Sequence, residues 1–421
     1  MSDVEETLAQ AFRDDWGRVV ATLIGVLGDW DLAEECAQEA FAAALPAWRR
    51  DGIPDSPRAW LTTTARNRAV DRIRRAKLGA AKLRELAGDE TTDLEVDMDA
   101  LDSGISDDRL RLIYTCCHPA LSAESRVTLA LRTLCGLSTA EIARAFLVPE
   151  ATMAKRLVRT KRKIAVAGIP YRVPPAHLLP ERTTAVLTVV YLLFHSGYAA
   201  TSGPALIRAE LCDHAVRLAR MVAELMPDHP EAAGLHALLL LLHARRSARV
   251  GADGALIPLE EQDRTRWDRG AIAEAVATIQ HALRRERPGP YQLQALIAAC
   301  HATAPAAAAT DWSRIADLYD RLLALVPSPA VRLNRAIAIA MRDGPRAGLD
   351  LLEDPEYAVG DHPLLPATRA DLLRRLGRHA EAIPRYREAL DRTDNDAERR
   401  YLTRRLHECE RPTPQTGVAN A

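Results

Sequence analysis

Residues 137–163 read LSTAEIARAFLVPEATMAKRLVRTKRK, and the reading of this stretch decides the fold. Ser138 followed by Glu141 has capping-box spacing, which satisfies free backbone N–H groups and starts a helix. Ile142 and Phe146 then stand one above the other on its buried face. Leu147-Val148-Pro149 makes the turn, and Pro149 suits a first helical position. In the second helix Met153, Leu157 and Ile164 form an inward stripe, while Thr152, Lys155, Arg156, Arg159 and Lys163 line the outer face. A basic face on a second helix, packed at an angle on a first, is the arrangement that enters a DNA major groove. A basic run alone reads as a solvated surface. Cap, turn, stripe and charge together favour DNA binding.

Upstream, Ser56-Pro57 starts another helix that runs to Lys77. Leu61, Ala65, Ala69 and Ile73 face inward, whereas Arg66, Asn67, Arg68, Arg72, Arg74, Arg75 and Lys77 reach outward towards phosphates and bases. Such charges supply salt-dependent affinity without specifying sequence. Trp60 reads as a core tryptophan rather than a stacking surface. Before this helix lies DLAEECAQEAFAAAL, residues 31–45. Its Ala33, Ala37, Ala40, Phe41 and Ala44 are apolar, and Glu34, Glu35, Gln38 and Glu39 offer an acidic surface.

The rest of the chain supports an all-α class. Hydrophobic residues make up 48% of the 421 residues and aromatics only 5%, a composition suited to helix-on-helix packing through small residues. The formal net charge of −1 means that any nucleic-acid contact is made by a local patch. Seven cysteines without framework spacing read as free thiols of a cytoplasmic protein, and Cys116-Cys117-His118 as buried structure rather than a zinc site. No apolar run approaches the ~20 residues that a membrane span needs. No nucleophile–base pair, metal-spaced His/Cys set or phosphate loop points to catalysis or a cofactor.

Boundaries follow from composition. Residues 1–78 form a first helical block, and 79–106 an acidic linker punctuated by Gly, Asp and Ser. Residues 107–168 form a second block, and a connector at 169–179 carries prolines that stop helices. A helical extension spans 180–410, and the tail 411–421 reads as disordered. Within the extension, residues 364–395 place Ala370, Gly377, Ala382, Tyr386 and Ala389 at the small/large spacing of a tetratricopeptide helix pair, with a weaker copy at 312–352. Stacked pairs make a concave surface suited to a peptide or partner protein, or else pack as an inert cap. The loop near Gly251–Asp268 reads as solvated charge anchored by Trp267, rather than as a cation site.

Three stretches in order carry a resemblance. DLAEECAQEAF (31–41) resembles the D-A-E-D-x-x-Q-E-x-F pattern of the sigma family's second conserved region. PRAWLTTTARNRAVDRIRR (57–75) resembles the helix that follows it there, and GLSTAEIARAFLVPEATMAKRLVRTKRKI (136–164) resembles the family's fourth region. The chain is identified on these as similar to extracytoplasmic-function sigma factors of the subgroup with a C-terminal helical extension. The resemblance implies that Asp31, Glu34, Glu35, Gln38 and Glu39 dock on the β′ clamp helices of core RNA polymerase, with the β flap as a further contact. It implies that Arg49, Arg50 and the loop to Ser56, with Arg66, Asn67, Arg68 and Arg72, bind the −10 promoter element. It assigns the −35 element to Thr152, Ala154, Lys155, Val158 and Arg159, with Arg156 on phosphate. Ala154 departs from the Lys or Arg common there, which leaves the −35 sequence open. The linker would thread the polymerase's basic channel or act as a tether. The implied function is promoter recognition and duplex opening, modulated by the extension. The competing reading is a helix-turn-helix regulator with a repeat-type sensor and no polymerase docking.

Overall fold

A computed structural model describes residues 3–87, 105–146, 148–199, 202–203, 205–284, 288–354, 357, 359 and 362–411. The regular structure among the described residues is helical apart from one two-residue strand pair and an isolated bridge between Val250 and Leu256. Packing divides it into two compact units, Met1–Val190 and Tyr191–Ala421.

The first unit begins with α1 (Asp3–Leu27), α2 (Trp30–Asp51) and α3 (Pro57–Ala87). The alanine stripe of α2 is fully buried at Ala33, Ala37, Ala40 and Ala44, so its neighbours approach closely. The α1 side supplies bulk through Trp16, Val19, Val20, Leu23 and Ile24, and α3 supplies Leu61, Ala65 and Ala69. Phe12, Trp16 and Phe41 form an aromatic trio with ring centroids 5.1, 5.1 and 5.9 Å apart. Trp60, expected in the core, is half-buried and meets the buried Trp48 edge-on at 5.8 Å. Helix α3 also continues past residue 78, because the Ala-, Leu- and Lys-rich segment to Ala87 has high helix propensity. Residues 88–104, most of the expected linker, lie outside the described residues, as do 412–421 of the tail.

Next come α4 (Ile105–Cys116), α5 (Ala123–Thr133), α6 (Thr139–Ala145) and α7 (Glu150–Val166). The two blocks read separately from the sequence share one core. A Cβ on Gly17 of α1 would come within 2.8 Å of the Leu134 carbonyl oxygen, so α1 and the end of α5 touch backbone to backbone. At Gly136, φ is +73° and a side chain would strike the Phe12 ring at 2.9 Å. Tyr171, in the proline-rich connector, donates its hydroxyl to the Ala21 carbonyl at 2.8 Å. Cys116 and Cys117 are buried, and burial pushes the Cys117 thiol up to about 12. The division into two units falls within α8 (Leu179–Tyr198), which starts at the last residue of the expected connector and carries Pro180 in its first turn.

The second unit adds α9 (Ala209–Leu225), α10 (Pro230–His243), α11 (Arg269–Ala282), α12 (Pro290–Thr303) and α13 (Trp312–Leu325). It ends with α14 (Pro329–Asp343), α15 (Pro345–Glu353), α16 (Leu365–Arg375), α17 (His379–Asp391) and α18 (Asp396–Glu410). Its core is a succession of clusters along the stack, from α10–α12 through α12–α14 to α14–α18, as neighbour-on-neighbour packing requires. Ala370, Ala382, Tyr386 and Ala389 are buried at the helix crossings where the repeat spacing put them. The weaker copy at 312–352 forms three helices, α13 to α15, rather than a pair. Its helices approach closely at Gly348, where a Cβ would lie 2.4 Å from that of Ala340.

Two features of this unit differ from a plain stack. Ser202–Gly203 (β1) pairs in parallel with Asp394–Asn395 (β2), tying the start of the unit to its last helix. The loop at Gly251–Asp268 is held from end to end. Leu256 N donates to the Ala397 carbonyl, Glu261 pairs with Arg405, Glu260 with Arg375, and Arg264 donates to the His301 carbonyl. This loop thus contacts α12, α16 and α18 together, an arrangement that the repeat spacing alone did not indicate. Trp267 anchors it at 3% exposure.

Candidate nucleic-acid interface

Asp29 caps α2, accepting from the Asp31 and Leu32 amides at 2.9 and 3.0 Å. With the alanine stripe turned inward, Asp31, Glu35 and Gln38 are exposed and Glu39 is half-buried. Glu34 is the exception to the acidic surface read from the sequence, being only 3% exposed. Arg132 of α5 donates to its Oε2 at 2.8 Å, and Lys161 of α7 stands 3.1 Å from its Oε1, in ion-pair range but outside hydrogen-bond geometry. Lys161 also donates to Asp31 at 2.7 Å. Burial explains why the carboxylate needs two cations.

The basic residues of α3 do not all point to solvent alone. Arg68 donates to Glu39 at 3.0 Å, and Arg72 bridges Glu35 at 2.6 Å and Glu39. These hydrogen bonds, Arg72's first and Arg68's second, hold the Glu39 carboxyl below its ordinary range. Two groups expected to serve different partners are therefore joined across α2 and α3. Asn67 is exposed and Arg66 half-buried, with Arg74 and Arg75 exposed beyond them. Arg49 pairs with Glu5 of α1, and Arg50 with Asp51 at 2.7 Å. A groove of about 600 Å³ runs beside the loop after α2, lined by Gln10, Asp14, Asp15, Asp55, Ser56 and Arg58. Its α1 wall carried no sequence signal.

At the helix-turn-helix, Ser138 Oγ accepts from the Glu141 amide at 3.2 Å, and Glu141 accepts from the Ser138 amide at 2.7 Å. Both halves of the capping box are present. Ile142, Met153, Leu157 and Ile164 are buried as expected, and Phe146 is half-buried. Pro149 is the N-cap of α7, one position ahead of the expected first helical residue. Lys155, Val158 and Arg159 are exposed on the outer face, Val158 at 65%, with Thr152 and Ala154 half-buried beside them. Arg156 is drawn back to Glu124 at the start of α5. Lys163 and Arg162 are exposed. The result is a cationic face with an apolar centre, shaped for a groove that offers phosphates at its walls and base edges on its floor. Lys161 and Arg132 were not singled out from sequence, since helical periodicity shows that a charge leaves the outer face but not what it meets.

Among the described residues no group of three or more His, Cys, Asp or Glu is arranged to hold a metal ion, and no helix is long and apolar enough to cross a membrane.

Comparison with known proteins agrees with this geometry. The family described as Sigma-70 region 2 matches residues 12–78, and Sigma-70, region 4 matches 111–164. A family of unknown function (DUF6596) matches 182–283. An uncharacterized protein of Rhizobium meliloti (strain 1021) is 44% identical over 391 residues, covering 92% of each chain. The ECF RNA polymerase sigma factor SigK of Mycobacterium ulcerans is 33% identical over 144 residues, which cover 33% of this chain and 74% of the relative. SigK of Mycobacterium tuberculosis (strain H37Rv) is 31% identical over 165 residues, 36% of this chain and 81% of the relative. No solved structure matches.

Proposed function

The chain belongs to the ECF RNA polymerase sigma factors and carries a helical C-terminal extension; from that premise we propose how its residues divide the work. The family is not enzymatic, and its partners are core RNA polymerase and promoter DNA. Asp31, Glu35, Gln38 and Glu39 of α2 dock on the β′ clamp helices, and Glu34 joins them once released from Arg132 and Lys161. The α6–α7 unit meets the β flap and reads the −35 element as duplex through Thr152, Ala154, Lys155, Val158 and Arg159, with Arg156 on phosphate. Arg49, Arg50, Arg66, Asn67, Arg68 and Arg72 hold the −10 element and help open it, capturing unpaired strand rather than reading a groove. The extension modulates this activity.

The observation that carries the reading is the ion-pair set around α2. Arg132 and Lys161 cover Glu34 and Asp31, and Arg68 and Arg72 cover Glu35 and Glu39. A helix whose acids are held by cations from α3, α5 and α7 is built to exchange them. Polymerase replaces Lys161 and Arg132, and DNA phosphate competes with the carboxylates for Arg68 and Arg72. On this reading the paired arrangement is a closed form, in which docking and promoter binding release one another's residues.

Run-off transcription with purified core polymerase, on DNA that includes the gene's own upstream region, tests the proposal. A discrete start site that requires this protein is expected. Silence, together with no binding to core enzyme after removal of residues 191–421, would instead favour a free-standing DNA regulator.

A further inference from the structure

The loop at Gly251–Asp268 does not fill the face that it crosses. Between residues 258–264 and helices α12, α13, α14 and α16 it leaves a cavity of about 580 Å³. A second space of about 280 Å³ shares Pro258, Glu260, Ile337, Met341 and Arg375 with it. The larger cavity is in the size range of small-molecule sites. Aromatic and aliphatic side chains form much of its wall: His301 and Trp312 meet edge-to-face at 5.1 Å, and Tyr319, Ile315, Ile337 and Met341 join them.

One lining group is not balanced. Arg264 is 9% exposed, and its Nη1 donates only to the carbonyls of His301 and Ala304, at 2.6 and 2.9 Å. Its guanidinium lies over Trp267 at 4.5 Å, and no carboxylate pairs with it among the described residues. Arg375, on the same cavity, shows the contrast, since Glu260 and Asp371 neutralise it at 2.6 and 2.7 Å. Burial first, and then the positive potential of nearby Arg245 and Arg269, push the Arg264 pKa down. Buried cations are ordinarily paired. Burial, then Arg245 and Arg264, also push His301 down to about 4, so at neutral pH it is an uncharged ring that adds no repulsion to an anion and no proton to a base.

We propose that this cavity binds a small flat aromatic carboxylate, its rings between Trp312, Tyr319 and Ile337 and its carboxylate completing the pairing of Arg264. The loop's occupation of the shared face disfavours an extended peptide there and leaves a partly enclosed site for a compact molecule. The ligand enters beside Ala308 and Asn334, both exposed and both on the cavity wall.

A matched pair of probes tests this on the full chain by titration calorimetry: naphthalene-1-acetate and its uncharged isostere naphthalene-1-acetamide. The acid should bind once per chain and about tenfold more tightly than the amide, as a charge-assisted contact requires. Arg264→Met should bring the acid to the amide's affinity while leaving the amide unchanged. Ile337→Trp, which adds bulk to the cavity from α14 and leaves the Arg264 charge in place, should abolish both. Equal affinities in the native chain, binding of neither probe, or undiminished binding by Ile337→Trp would each overturn the proposal. Should Arg264→Met fail to fold, the acid-to-amide ratio of the native chain and the Ile337→Trp result decide it.

Discussion

Replacing Lys161 by Met perturbs the contact that holds α7 against α2. Lys161 is 14% exposed and lies 2.7 Å from Asp31 and 3.1 Å from Glu34. The Asp31 arm is worth little, because that carboxylate is 85% exposed and solvent screens it. The Glu34 arm decides the magnitude. Arg132 still neutralises Glu34 at 2.8 Å, so the single change costs about 1.5 kcal/mol, the scale of one contact to a charged group. Removing Arg132 as well strands a buried carboxylate and costs about 3–5 kcal/mol. Adding Glu34→Gln to that double variant takes the charge away and should recover most of the loss. Urea unfolding of the single, double and triple variants measures the series. Because the cost falls on the closed form alone, Lys161→Met should also raise apparent affinity for core polymerase by up to about tenfold. A double variant within about 0.5 kcal/mol of the parent, or a triple variant no better than the double, would refute the account of Glu34. The expected stability loss with unchanged core affinity would refute the closed form.

Other outcomes follow from the same structure. Changing Lys155 and Arg159 together to Ala should weaken binding to promoter duplex and cut its preference over unrelated duplex by about tenfold or more, with core-polymerase affinity unchanged; anisotropy titrations on both duplexes and on core enzyme read this. Gly17→Ala drives a methyl against the Leu134 carbonyl at 2.8 Å, and should lower stability by about 1–3 kcal/mol in urea unfolding. His236 is 5% exposed, and burial, with nearby Arg220, pushes its pKa down from 6.5 to about 4. The folded chain therefore holds it neutral while the unfolded chain protonates it, so its contribution is complete above pH 6.5 and fades as pH falls towards 4. The loss amounts to about 2 kcal/mol by pH 5, and His236→Gln should flatten the fall in thermal midpoint between pH 7 and 5.

Local sequence patterns were enough to place the helices and the faces they bury. Ser138 and Glu141 close a capping box, the alanines of α2 are buried at helical spacing, and Met153, Leu157 and Ile164 turn inward. Each of these is set by residues within a few positions of one another, and helical periodicity carries that information directly. Lys155 and Arg159 were legible for the same reason. Tertiary structure alone decided the partners. Glu34 meets Arg132 and Lys161, Arg72 ties Glu35 to Glu39, and the loop at 251–268 closes a face that stacked pairs would leave open. Arg132 lies 98 residues from Glu34 and Lys161 lies 130 from Asp31. A charge at a given position on a helix is compatible with solvent, an ion pair or a ligand, and its local pattern is the same in all three. Which one forms depends on which helix faces are driven together by burial, here Gly17 against Leu134 and Phe12 against Gly136, and only the assembled core settles that.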